Sequence, residues 1–181
     1  VLAFLERPEL RVGAVDGLLH SARRLSRDLR HRQQSEAEQP GAGGKTLALG
    51  AAMRNTGRLY AFDVSGHRLA ALKPRLARSG LSNVHPVQIA HERDDRIKRL
   101  AGKIDRVLVD APCSGLGTLR RNPDLKWRQS PQSIAELTVK QGAILASAAR
   151  LLKPGGRLVY ATCSLLAQEN VRCTLSRIDA F

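Results

Sequence analysis

The sequence is poor in cysteine, and its few histidines form no pair with the spacing of metal ligands. Only three Cys occur among 181 residues, and no two of them form a Cys-x-x-Cys motif. Disulfide frameworks and zinc sites both need several such residues at short spacings. We therefore expect neither a disulfide-stapled protein nor a metal site.

Long apolar runs and aromatic residues are also scarce. No apolar stretch approaches the roughly 18–20 residues of a membrane helix, and the N-terminus lacks the basic segment of a signal peptide. We therefore expect a cytoplasmic protein without a membrane partner. Two Tyr, three Phe and one Trp give weak support for an aromatic platform that stacks on single strands. The missing initiator Met suggests a fragment or a processed chain.

The chain does have the length of one domain and a large positive charge. Its length falls within the range of about 100–200 residues that is typical of a domain, and 43% hydrophobic residues are too many for a disordered tail. Lys and Arg number 30 against 16 Asp and Glu, for a net charge of +14, and almost all of the surplus follows residue 40. Such a surplus favours a polyanion, because basic residues on phosphates release counterions. A merely solvated basic surface fits the composition equally well.

Strand-like and helix-like patterns alternate after residue 56. Helical spacing predicts a helix from Gly66 to Ser79, kinked or shortened by Pro74, and a long helix that begins at Ser130-Pro131. Short apolar runs predict strands at 58–63, 84–89, 104–110 and 157–162. This alternation predicts an α/β fold with a mostly parallel sheet.

Residues 1–40 fit this pattern less well than residues 41–181. Residues 15–30 have the spacing of a basic amphipathic helix, and residues 31–40 are polar throughout, as in a loop or linker. We therefore predict a divergent N-terminal segment at 1–40 and a core domain at 41–181.

A glycine-rich loop, Gly41-Ala42-Gly43-Gly44-Lys45-Thr46, runs into an apolar helix at 47–53. Glycines let a ligand approach the backbone, and the amides at a helix N-terminus favour anionic groups. The phosphate-binding P-loop motif needs a further glycine where this chain has Gln39, so that motif fails. An ordinary turn is the alternative to a cofactor loop.

Asp63 ends the strand that follows the glycine loop. A carboxylate at this point, about 20 residues after the loop, accepts both hydroxyls of a ribose in dinucleotide-binding folds. The alternative is that Asp63 caps the N-terminus of the next helix.

Two cysteines follow two later strands, in the sequences Asp110-Ala111-Pro112-Cys113-Ser114-Gly115 and Thr162-Cys163-Ser164. A lone buried Cys is usually a small apolar residue. Ligands of parallel sheets bind at the carboxyl ends of the strands. We therefore expect Asp63, Asp110, Cys113 and Cys163 to share one rim of the sheet.

These motifs carry a resemblance to a known family. Asp-Ala-Pro-Cys-Ser-Gly, followed fifty residues later by Thr-Cys-Ser, resembles the Sun family of bacterial ribosomal-RNA cytosine-C5 methyltransferases, and residues 120–127 are similar to the segment after its first Cys motif. The resemblance covers about residues 40–170. It implies a Rossmann-like methyltransferase sheet, S-adenosylmethionine as cofactor and RNA, most of all 16S ribosomal RNA, as partner.

The resemblance also implies roles for individual residues. Cys163 is the nucleophile that adds to C6 of the cytosine, Cys113 helps to release the product, and Asp110 holds the cofactor or the base edge. A nucleophilic thiol needs a lowered pKa, and we expect nearby basic groups to lower the pKa of Cys163. The residues implied in cofactor binding are Gly41, Ala42, Gly43, Gly44, Lys45, Asp63 and Asp110.

The chain departs from this family around the cofactor loop and at its end. The family has an apolar strand before the glycine loop, where residues 35–40 are polar, and an acid where this chain has Ala90. Its last strands have no counterpart beyond Asn170, so we predict a sheet that is incomplete at both ends. A catalytically inactive, basic RNA-binding fragment is the competing interpretation. A dithiol redox protein that uses Cys113 and Cys163 is a third, which the missing Cys-x-x-Cys disfavours.

Overall fold

The computed structural model describes residues 43–170 and the backbone of residues 2–6. The predicted segment 1–40, including its helix and linker, therefore lies largely outside the described residues, as do Gly41, Ala42 and Cys173. None of the helices in the described ranges is both long and apolar enough to cross a membrane. In chain order the elements are β1 (Leu2–Glu6), α1 (Gly44–Ala52), β2 (Arg58–Asp63), α2 (Gly66–Ser79), β3 (Val84–Gln88), α3 (Asp95–Lys98), β4 (Ile104–Asp110), η1 (Leu116–Thr118), α4 (Leu125–Arg128), α5 (Pro131–Ala149), β5 (Leu152–Ala161) and η2 (Ala167–Glu169), where η denotes a 3₁₀ helix.

The chain folds into two compact units that divide between Ala90 and His91. In the first unit β2 and β3 are parallel, in a register that runs from Leu59 opposite Val84 to Asp63 opposite Gln88. β1 is hydrogen-bonded on the other side of β2. The strand on that side of β2 thus comes from residues 2–6, in a region where the sequence predicted none.

In the second unit β4 and β5 are parallel, and their last paired residues are Asp110 and Ala161. The side chains of Val107, Leu108 and Val109 in β4 are all buried, and since successive side chains point to opposite faces, this is expected for a strand in a parallel sheet that is covered on both faces. Helix α5 packs against both strands. The predicted α/β fold with parallel strands is confirmed.

Local sequence signals explain the helix boundaries. Ser65 caps α2 by accepting a hydrogen bond from the Arg68 amide at 3.3 Å, and Gly80 ends it in the left-handed conformation with φ 68°. Helix α2 runs its whole predicted length with Pro74 inside it, so of the two predicted effects of Pro74, a kink or a shortened helix, the second is wrong. Helix α5 begins as predicted, with Ser130 as its N-cap and Pro131 at the first helical position, and Ser133 adds a reciprocal capping box with Ser130.

Candidate active site

The second unit brings Cys113 and Cys163 together at the carboxyl ends of β4 and β5. Their sulfur atoms are 3.2 Å apart, and the backbone amide of Cys163 donates a hydrogen bond to Cys113 Sγ at 3.3 Å. Cys163 is exposed and Cys113 half-buried, and neither forms a disulfide. The two motifs therefore present a pair of adjacent thiols to solvent, with Asp110 at the end of β4 nearby.

The pKa of Cys163 differs from the sequence prediction. Partial burial of its sulfur, the hydrogen bond to Cys113 and the negative charges of Cys113 and Asp110 raise the pKa of Cys163 to about 11. Only its own backbone hydrogen bond acts in the opposite direction. The prediction that basic groups lower this pKa is wrong, because the charged groups that act on Cys163 here are negative. At neutral pH this side chain is therefore a thiol rather than a thiolate.

The buried carboxylate of Glu169 links the two cysteine loops, which are the segments after β4 and β5 that carry Cys113 and Cys163. Glu169 lies completely buried and accepts hydrogen bonds from the Ser114 amide at 2.8 Å, from the Ser114 hydroxyl and from the Gln141 side-chain amide at 3.0 Å. Ser114 Oγ in turn lies 3.1 Å from Ser164 Oγ. The residue after each cysteine is thus tied to the residue after the other, which sets the spacing of the two loops.

Glu169 is held in its charged form by these neutral donors. Burial acts to raise its pKa, but the hydrogen bonds from Ser114, Ser164 and Gln141 outweigh burial and leave the pKa of Glu169 below its ordinary value. Without the carboxylate each donor would lose a charged acceptor in a buried space. Glu169 therefore supports the loop geometry from beneath, while the thiols face solvent.

Further contacts position the two cysteine loops, and one of them joins the loops directly. On the Cys113 side, Gln141 Nε2 donates to the Pro112 carbonyl at 2.8 Å, and the amide of Gly117 donates to the Cys163 carbonyl at 2.8 Å. A Cβ atom at Gly117 would lie 2.6 Å from that carbonyl oxygen, so only glycine fits there. On the Cys163 side, Asn170 Nδ2 donates at 3.0 Å to the carbonyls of Ser164 and Leu166.

The residues that support the cysteine loops, called here the supporting layer, are Ser114, Gln141, Ser164, Glu169 and Asn170. The sequence did not predict their role. Gln141 is a polar residue inside the apolar stripe of α5, and Glu169-Asn170 follows the Thr-Cys-Ser motif closely; both were visible signals. The motifs contain a serine after each cysteine but indicate no role for it. Ser114, Gln141, Ser164 and Glu169 are all buried, which the sequence pattern around them does not indicate.

In the first unit, Gly43 is the N-cap residue of α1 and Gly44 is its first residue. Gly43 has φ +79°, and a Cβ atom there would lie 2.3 Å from Leu72 Cδ1 of α2. The fold itself therefore requires Gly43, for its backbone conformation and for the contact with Leu72. A Cβ at Gly44 would meet open space, and Lys45 is exposed. These two residues leave room at the helix N-terminus for a ligand.

Asp63 is almost completely buried at the end of β2. Its Oδ1 accepts a hydrogen bond from the Ser65 amide at 2.9 Å, and Arg68 Nε lies 3.6 Å from Oδ2. Oδ2 itself accepts no hydrogen bond within the described part of the chain. Since Ser65 is the N-cap of α2, the alternative that Asp63 caps this helix is wrong. A buried oxygen that still lacks a donor suits a ribose hydroxyl.

A prediction about thiol chemistry follows from the pair of cysteines. In Cys113→Ala the hydrogen bond and the negative charge that raise the pKa of Cys163 are lost, so more thiolate forms at pH 8. Each unit by which a pKa falls increases the thiolate fraction about tenfold. We expect Cys163 to be alkylated by iodoacetamide about ten times faster than in the parent chain, as measured by mass spectrometry of its peptide. The control Cys173→Ala keeps the parent rate, and an equal or slower rate in Cys113→Ala would contradict the pKa assignment.

Comparisons with known proteins find relatives of this chain. A family model described as 16S rRNA methyltransferase RsmB/F matches residues 39–178. The probable ribosomal RNA small subunit methyltransferase B of Synechocystis is 44% identical over 128 residues, which are 71% of this chain and 28% of that protein. The ribosomal RNA small subunit methyltransferase F of Aliivibrio fischeri is 42% identical over 77% of this chain and 29% of its own length. The chain thus spans less than a third of the curated relatives it matches.

A solved structure shares the fold. The crystal structure of NSun6 from Pyrococcus horikoshii with SFG, an analogue of S-adenosylmethionine, has a TM-score of 0.68 and 33% identity, and the match covers 80% of this chain and 35% of NSun6. This likeness confirms the predicted Rossmann-like methyltransferase fold.

Proposed function

Because this chain belongs to the 16S rRNA methyltransferase RsmB/F family, we propose that it carries the nucleophilic part of an RNA cytosine-C5 methyltransferase. The reaction is transfer of a methyl group from S-adenosylmethionine to C5 of a cytosine in RNA, with 16S ribosomal RNA the expected substrate. The observation that carries the proposal is the 3.2 Å separation of Cys113 Sγ and Cys163 Sγ above the buried Glu169.

The chemistry needs a nucleophile because cytosine C5 is unreactive by itself. Addition of the Cys163 sulfur to C6 would move the electrons of the C5–C6 double bond onto C5, which would take the methyl group as the bond between that methyl and the cofactor sulfur breaks and leaves a neutral thioether. Loss of the C5 proton to a base would then restore the double bond as the C6–S bond breaks and the Cys163 thiolate leaves. Cys113, with its sulfur beside that of Cys163, is placed to assist this release. The target base must be unpaired or flipped out of a helix to reach the thiols.

The raised pKa of Cys163 sets a condition on the first step. The thiol must lose its proton before or while it attacks, so the addition rate should rise with pH toward about 11. Glu169 does not take this proton, since its two oxygens already accept hydrogen bonds from the supporting layer. Its part is to hold the two cysteine loops together.

The cofactor residues in the first unit fit their proposed task. S-adenosylmethionine, when bound, supplies an electrophilic methyl group. Asp63 has a buried oxygen available to accept a hydrogen bond from a ribose hydroxyl, and the start of α1 at Gly44 and Lys45 has open space. Asp110 is proposed to hold the cofactor or the base edge near the thiols. Gly43 acts indirectly, because it fixes the start of α1 against α2.

A second candidate function is a catalytically inactive RNA-binding fragment. The raised pKa of Cys163, which leaves a thiol rather than a thiolate at neutral pH, favours it. The positive charge of the chain serves either function. The two candidates differ in cofactor binding, which only the enzyme requires.

Calorimetric titration with S-adenosylmethionine therefore tests the proposal. We expect the chain to bind the cofactor and Asp63→Asn to bind it about tenfold or more weakly, since a hydrogen bond to a charged group is worth about 1.5–3 kcal/mol. Asp95→Asn, which alters an exposed carboxylate on α3, serves as the matched control and should bind like the parent. If the parent chain shows no heat of binding, the RNA-binding fragment is the better account.

A further inference from the structure

Trp127 is the only tryptophan of the chain, and its side chain is 80% exposed. A large aromatic side chain gains free energy from burial, so such exposure is unfavourable unless a partner covers the ring. The ring lies on α4, a single helical turn of four residues, which cannot be stable through its own hydrogen bonds. Both observations call for an explanation outside the packing of the core.

Helix α4 is attached to the loop that carries Cys113. Leu125 at its start lies against Gly115, with Cδ1 only 3.1 Å from the position of a Cβ on that glycine. Just after the helix, Gln129 Nε2 donates a hydrogen bond to the carbonyl of Ser114, the residue next to Cys113, at 3.1 Å. Contacts at both ends therefore fix α4 to the cysteine loop and hold Trp127 in a defined place beside it.

The surroundings of the ring are basic. Lys126 Nζ lies 4.7 Å from the centroid of the Trp127 ring, within the range of a cation–π contact. Arg128 follows it in sequence and pairs with Asp124 at 2.7 Å. Residues 120–129 include four basic residues and one acid. An exposed indole among positive charges is complementary to a nucleic acid, which offers both base faces and phosphates.

We propose that Trp127 stacks on an unpaired base of the RNA next to the cytosine that Cys163 attacks. The inference rests on the proposed function, because it takes RNA as the substrate. A flipped-out target loses its stacking partners and leaves neighbouring bases with exposed faces. The Trp127 ring, which α4 holds beside the Cys113 loop, covers one such face and thereby positions the RNA strand relative to the two thiols. Trp127 thereby acts as an RNA-binding residue outside the two cysteine motifs.

The single tryptophan supplies its own probe. A fluorescein-labelled single-stranded RNA of about 12 nucleotides, with one cytosine among uridines, matches the usual site sizes of single-strand binding. We expect this RNA to quench the intrinsic fluorescence of the chain as it binds. By anisotropy, Trp127→Ala should bind it about tenfold more weakly, and Trp127→Phe, which keeps a ring, should recover most of the loss. Val139→Ala, at an exposed apolar residue of α5, is the matched control and should bind like the parent.

Salt dependence separates stacking from phosphate contact. Since stacking neutralises no phosphate, the slope of log affinity against log salt should be the same for Trp127→Ala and the parent. A shallower slope in the variant would mean that the lost affinity came from charge, which would overturn the proposal. The proposal is also overturned if RNA binds without quenching the parent's fluorescence and Trp127→Ala binds it with undiminished affinity. The exposed face of Trp127 would then be a site for a protein partner. A chain that binds no RNA would overturn the proposal as well.

Different results would refute the stacking role of Trp127 and the proposed methyltransferase function. Quenching and a tenfold loss in Trp127→Ala without any methyl transfer would leave stacking intact and refute the enzyme. Methyl transfer by a Trp127→Ala variant with parental RNA affinity would refute stacking and leave the enzyme intact. Circular dichroism checks that each variant is folded. Replacement of an exposed side chain should leave the spectrum unchanged.

Discussion

Replacement of Cys113 by alanine is expected to leave RNA covalently attached to the protein. Cys163 still adds to C6, and its addition is favoured because the hydrogen bond and charge of Cys113 no longer raise its pKa. The release step loses the sulfur that lies 3.2 Å away. We expect turnover to fall by about 10²–10⁴-fold, the range for loss of a group that assists proton transfer. Labelled RNA incubated with cofactor should then migrate with the protein on a denaturing gel.

Cys163→Ala is the matched variant and should give neither adduct nor methylated RNA. Cys173→Ala, at the third cysteine, should behave like the parent. The assignment of roles is wrong if Cys163→Ala still forms the adduct, or if Cys113→Ala forms none while the parent chain turns over. Exchanged results for the two variants would mean that Cys113 is the nucleophile.

The second large effect is expected at Glu169. Alanine at this position leaves the buried Ser114 amide without an acceptor. It also removes one hydrogen bond each from the Ser114 hydroxyl, which keeps Ser164 Oγ, and from the Gln141 side-chain amide, which keeps the Pro112 carbonyl. An unsatisfied buried group costs about 1–3 kcal/mol and each further lost hydrogen bond about 1 kcal/mol, so Glu169→Ala should lower the free energy of unfolding by about 3 kcal/mol or more. Urea denaturation followed by circular dichroism measures this. Glu136→Gln, which changes an exposed acid on α5, should stay within about 0.5 kcal/mol of the parent.

Glu169→Gln keeps the shape of the side chain and tests the positioning role in a folded protein. Its amide group retains one acceptor oxygen but turns a donor toward the Ser114 and Gln141 donors, which loosens the link between the cysteine loops. We expect adduct formation by Glu169→Gln to slow far more than the accessibility of Cys163 to iodoacetamide changes. Equal adduct rates in this variant and the parent would show that Glu169 serves stability alone.

The pH dependence of stability has a definite sign here. The folded pKa of Glu169 is lower than its ordinary value of 4.5, so the folded state favours the charged carboxylate. Its contribution is present above the ordinary pKa and is lost as the pH falls through the lower folded value. Glu169→Gln should therefore be less stable than the parent at neutral pH but differ less from it in acid. A stability difference that is constant with pH would contradict the assignment.

Several features of the fold were predictable because their signals are local. Ser130-Pro131 marks the start of α5, and the strand at 104–110 is an apolar run between turns. Capping, periodicity and turn residues act over a few neighbours, so the sequence pattern carries them directly. The same holds for the two cysteine motifs, which pointed to a reactive pair.

Tertiary structure decided what these residues do to one another. The raised pKa of Cys163 depends on a sulfur 50 positions away, and Glu169 meets donors 28 and 55 positions earlier in the chain. No periodicity or cap records such contacts, because burial and charge proximity arise only when distant strands align. Gly43 illustrates the same point: as a motif it indicated a ligand, whereas its contact with Leu72 shows that the packing of two helices already requires it. The sequence by itself therefore determined the main helices and strands after residue 43 and the paired thiols. Only the folded chain decided the strand at residues 2–6, the spacing and protonation of the thiols and the carboxylate that supports them.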